Sequence, residues 1–74
     1  MDAFTHRVYL NRVRDFVEGV PFPATRAQVL AYARHRNTPS EIFDDLTRTR
    51  AERFSSLDEV VAAVDALHAA VAAH

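Results

Sequence analysis

The chain has 74 residues, a formal net charge of −1 and 49% hydrophobic residues, enough for one small domain spanning residues 1–74. It contains no cysteine, which excludes a disulfide framework, a thiolate nucleophile and a cysteine-based zinc site. The longest apolar tract, Val60 to Ala73, is broken by Asp65 and His68 and is too short for a bilayer span. No signal-peptide pattern opens the chain, so the expectation is a cytoplasmic protein without membrane contact. The small net charge hides an asymmetry. Residues 1–36 carry six Arg against three acids, and residues 37–74 carry three Arg against seven.

In chain order, the spacing predicts a first helix from about Ala3 to Glu18, with Asp2 as its cap and Gly19 at the left-handed stop. Tyr9, Leu10, Val13, Phe16 and Val17 share one face, while Phe4 and Val8 point to the opposite side. Val20-Pro21-Phe22-Pro23 reads as an extended connector, because each proline disfavours helix in the residue before it. A second helix starts with the capping box Thr25-Arg26-Ala27-Gln28 and stops near Asn37, with Val29, Leu30 and Ala33 buried and Tyr32 at the edge. A second box, Thr38-Pro39-Ser40-Glu41, starts a third helix with Pro39 at its first position and Ile42, Phe43 and Leu46 in the core. Residues from about Arg48 to Phe54 form a linker. A third box, Ser56 to Glu59, opens the last helix, whose inward face is Leu57, Val60, Val61, Val64, Leu67 and Val71. The expected fold class is all-α: a compact bundle of four short helices, an N-terminal helix plus a three-helix core.

The runs "EGVPFPATRAQVLAYARHRNTPSEIFDDL" and "RFSSLDEVVAAV" resemble a bacterial domain-of-unknown-function family, DUF 2795. The residues that carry the resemblance are Gly19, Val20, Phe22, Pro23, Ala24, Thr25, Arg26, Leu30, Ala33, Arg34, Ile42, Leu46, Phe54, Ser55 and Val60, within a family-like core at residues 16–66. "FPATR" is its most specific part. The linker departs from the family pattern, being basic here ("TRTRAER") where the family often has an acidic turn with proline. The resemblance implies a small helical fold and transfers no catalytic residue.

No enzyme is expected. Among His6, His35, His68 and His74 no pair has the i, i+4 spacing of a helical zinc site. Asp65 and His68 stand i, i+3 but lack a nucleophile, so the histidines read as solvated. One glycine cannot build a phosphate loop. No cofactor, metal or small-molecule substrate is expected. Two readings compete. The favoured one is a protein-interaction module, with a protein or a second copy as partner, using Phe4, Val8 and the small-residue face Ala62, Ala66, Ala69 and Ala73. The alternative is nucleic-acid binding through Arg34, Arg36, Arg48, Arg50 and Arg53. Against it stand Glu41, Asp44 and Asp45, which would open the recognition helix of a helix-turn-helix and repel phosphates.

Overall fold

The computed structural model describes residues 3–72, with side chains described as far as Ala69. The helical segments are α1 (Ala3–Val17), α2 (Arg26–His35), α3 (Ser40–Arg48) and α4 (Leu57–Ala72). Two short strands, β1 (Ala24–Thr25) and β2 (Arg53–Phe54), pair antiparallel with Ala24 opposite Phe54. The all-α bundle is as expected; this small ladder is not. Asp2, Ala73 and His74, singled out above, lie outside the described residues, as does the side chain of Val71. Among the described residues no helix is long and apolar enough to cross a membrane.

The core follows the helical period. Tyr9, Val13 and Val17 of α1, Val29 and Ala33 of α2, Ile42 and Leu46 of α3, and Val60 and Val64 of α4 are all buried. Leu10, Phe16, Phe22, Leu30, Tyr32, Phe43 and Leu57 pack against them only partly buried, and so does Ala63, which the sequence reading left out. Phe22 and Leu30 therefore sit at the edge of the core.

The ends of the helices show which local cues act. Gly19 stops α1 at φ 105°, a backbone conformation that strains any side chain, and a Cβ there would also have to displace the Tyr32 hydroxyl. Thr25 and Gln28 form the full capping box: Gln28 N–H donates to Thr25 Oγ1 at 3.1 Å, and Thr25 N–H donates to Gln28 Oε1 at 2.8 Å.

The expected box at Thr38 is absent. The position before α3 is taken by Pro39, without a side-chain cap. Thr38 instead closes the helix behind it. Asn37 adopts φ 56°, its N–H donates to Arg34 O at 3.1 Å, and Thr38 N–H donates to Ala33 O at 3.1 Å. That is the Schellman pattern of a helix C-terminus, and the Thr38 hydroxyl adds a bond to the same Ala33 carbonyl at 2.7 Å. A threonine committed to the preceding carbonyl cannot also face the amides of the following helix. At α4 the box is displaced by one residue. Glu59 N–H donates to Ser56 Oγ at 3.3 Å, but the Glu59 carboxylate accepts from Ser55 N–H rather than from that of Ser56.

Two substitutions separate these roles. Thr25→Ala loses a true N-cap and costs about 0.5–2 kcal/mol. Thr38→Ala leaves the backbone bonds of the Schellman motif intact and costs about 0.5–1.5 kcal/mol for one hydroxyl bond. Hydrogen exchange tells them apart: Thr25→Ala speeds exchange in the first turn of α2, whereas Thr38→Ala speeds it at the junction after α2 and spares the start of α3.

Candidate functional site

The segment between α3 and α4 is a strap clamped at both ends. At its start, Thr49 is buried and its hydroxyl donates to Leu46 O at 2.7 Å. The Arg26 guanidinium donates to the Thr49 carbonyl, and Arg26 N–H donates to Glu52 O at 2.8 Å. At its end, Phe54 is buried and joined to β1 through the ladder. The last three residues of the "FPATR" run are thereby accounted for physically. Ala24 is the buried partner of Phe54, Thr25 caps α2, and Arg26 ties down the strap.

Between this strap and α4 lies an open groove of about 300 Å³, lined by Arg48, Thr49, Arg50, Ala51, Ala63, Ala66 and Leu67. Ala63, Ala66 and Leu67 recur at i, i+3, i+4 on α4 and so form one continuous apolar floor. Arg48 and Arg50 are exposed. Among the described residues neither guanidinium has a hydrogen-bond, ion-pair or aromatic partner.

The groove unites residues from two different sequence expectations, Ala66 from the small-residue face and Arg48 and Arg50 from the basic set. Ala62 and Ala69 are exposed on α4 outside it. Phe4 and Val8 lie on α1, also outside it, at 77% and 44% exposure. The basic set itself is divided. The Arg34 guanidinium lies 5.5 Å from the centroid of the Phe43 ring, and that of Arg36 lies 5.8 Å from Tyr32. Arg36 also donates to Glu18 O at 3.3 Å and to the Tyr32 hydroxyl at 3.2 Å. Arg48 stands five residues beyond Phe43 on α3, hence about 7.5 Å along the axis and about 140° around it. Arg53 is exposed in β2.

A second polar cluster engages two of the histidines expected to be solvated, His6 and His68; His35 is exposed as expected, and His74 lies outside the described residues. His6 of α1 pairs with Asp65 of α4 at 2.7 Å, not His68 with Asp65. His68 of α4 pairs with Asp45 of α3 at 2.8 Å, and the Tyr9 hydroxyl of α1 donates to the same Asp45 oxygen. An ionised carboxylate can only accept, so His68 Nε2–H is the donor. The His68 ring centroid is 5.4 Å from that of His6 and 5.1 Å from that of Tyr9. The cluster therefore joins α1 to α4, α1 to α3 and α3 to α4, and Arg14 of α1 adds a second contact to α4 through Asp58 at 2.8 Å. Burial, then the hydrogen bond to Asp45 and its charge, push ionisation of the Tyr9 hydroxyl well above the ordinary tyrosine value, with Glu41 adding to this and Arg12 opposing it. These groups satisfy one another and tie helices together. Their contacts span 59, 36 and 23 residues in sequence, so no local spacing could have announced them.

Residues 11–61 match the family described as protein of unknown function (DUF2795). The chain belongs to that family. The DUF2795 match runs from the middle of α1 to the start of α4 and takes in the "FPATR" run, the Schellman turn and the strap with Arg48 and Arg50. The groove floor at Ala63, Ala66 and Leu67 lies beyond it, as do His6, Tyr9, Asp65 and His68. No curated protein and no solved structure matches the chain.

Proposed function

We propose that this DUF2795 chain is a non-enzymatic, cytoplasmic protein-interaction module that receives its partner in the groove between the strap and α4. The observation that carries this reading is the groove: an apolar floor of Ala63, Ala66 and Leu67 beside two guanidinium groups, of Arg48 and Arg50, that have no partner among the described residues. Floor and rim are held on rigid elements, since the strap is pinned at Thr49 and Phe54. A pre-formed concave surface lowers the ordering cost of association. The polar cluster supports the non-enzymatic reading, because its histidines, aspartates and tyrosine are engaged with one another.

Selection from a displayed random-peptide library, followed by mapping of backbone amide shifts, tests this. Selected peptides are expected to shift Arg48–Ala51 and Ala63–Leu67. A footprint elsewhere removes the groove as the site. Sedimentation of the free chain addresses a second copy as partner: a concentration-dependent dimer abolished by Ala66→Glu would make self-association the function. Binding of single or double strands tighter than about 10⁻⁴ M, falling steeply with salt, would favour nucleic acid through the basic residues instead.

A further inference from the structure

We infer that the groove takes an acidic, amphipathic peptide segment of another protein, its apolar side chain on Ala63, Ala66 and Leu67 and its carboxylates on Arg48 and Arg50. This deepens, and rests on, the interaction reading above.

Charge complementarity selects the occupant. Arg34 and Arg36 lie against aromatic rings, and Arg14 is paired with Asp58 at 2.8 Å. Arg48 and Arg50 have no such partner among the described residues and flank an aliphatic floor. Glu52, the one acid of the strap, is not among the groove-lining residues. An arginine fork is matched by a carboxylate, which accepts two parallel bonds. A leucine-sized side chain finds apolar contact on the i, i+3, i+4 floor, and a helical segment can present that side chain beside acids on the same face.

Two other occupants fit less well. A second copy placed symmetrically on the groove would present the same patch from both sides, setting Arg48 and Arg50 against Arg48 and Arg50. A nucleic-acid strand would meet no aromatic side chain to stack on, because the lining holds only Arg, Thr, Ala and Leu.

The test uses a short synthetic helical peptide with leucines on one face flanked by glutamates, and two relatives with every Glu replaced by Gln or by Lys. Affinity is read by fluorescence anisotropy and the footprint by amide shifts on the full chain. The glutamate peptide is expected to bind in the groove at least about tenfold more tightly than the glutamine peptide, a difference equivalent to one strong charged contact. The double variant Arg48→Gln/Arg50→Gln should lose the same factor with unchanged helical content, both positions being exposed. Arg48→Glu/Arg50→Glu should invert the preference towards the lysine peptide, which a merely structural role for these arginines would not produce. Equal binding of the glutamate and glutamine peptides in the groove overturns the acidic partner while leaving the interaction module standing. Failure of all three peptides, or a footprint away from the groove, also overturns it; the unbiased peptide selection then decides the broader reading independently. Displacement of the glutamate peptide by a single-stranded oligonucleotide that itself depends on Arg48 and Arg50 overturns it in favour of nucleic acid.

Discussion

Phe54→Ala lowers the unfolding free energy by about 3–5 kcal/mol, the range for removing a buried aromatic side chain. Phe54 is only 2% exposed, and it is the residue through which the strap joins both β1 and the core. A chain of this length has roughly 4–11 kcal/mol of stability in all, so the variant approaches the limit of cooperative folding. Urea denaturation followed by circular dichroism measures the loss. Phe4→Ala is the control. Phe4 is 77% exposed, and its replacement should stay within about 0.5 kcal/mol, as surface changes usually do. Comparable losses at the two positions would mean that Phe54 is not the anchor of the strap. Milder urea also reports on the groove. If Phe54 holds the strap, amide exchange at residues 49–53 should accelerate in the variant before the helices melt, since opening is local wherever few contacts remain.

What the amino-acid order reveals, and what it hides, divides along sequence distance. Gly19, Thr25 and Asn37 act on residues within four or five positions, and all three mark helix ends where expected. The buried faces of α1 to α4 are likewise periodic and local. Thr38 marks the boundary of that logic. The Thr38–Glu41 run has the residues of an N-terminal box, yet the left-handed turn at Asn37 carries Thr38 back to the open Ala33 carbonyl. Two local signals compete for one hydroxyl, and the one completed by backbone geometry wins. The β1–β2 ladder, the clamp of Arg26 on Thr49 and the polar contacts of the His6, Tyr9 and His68 cluster link residues 23 to 59 positions apart. Their partners are brought together only by the packed fold. The groove belongs to the same class: Ala66 was legible as a small residue on a free face, and Arg48 and Arg50 as charges, but not their convergence.

Asp45→Ala is expected to cost about 2–4 kcal/mol, because it strands two donors at once in a partly buried place. The Asp45 side chain is 14% exposed and accepts from both the Tyr9 hydroxyl and His68. The same site gives the molecule an alkaline limit whose sign can be worked out. Tyr9 ionises above the ordinary value in the folded chain, whereas in the unfolded chain it ionises near pH 10. Below that pH both states hold the proton and its contribution is fully present. Above it the unfolded state loses the proton first, and stability falls by about 1.4 kcal/mol per pH unit until the folded hydroxyl also ionises. The composition makes this readable: the sequence has no Lys, and its basic residues are all Arg, which stay charged through this range. Tyr9→Phe should remove the Tyr9 share of the slope, measured as urea midpoints from pH 9 upward. Asp45→Asn should reduce it without abolishing it, since burial is the larger cause and the charge and hydrogen bond of Asp45 come after it. An alkaline slope identical in wild type and Tyr9→Phe would show that the hydroxyl is already solvated in the native state, and that the Tyr9–Asp45 contact does not hold α1 to α3.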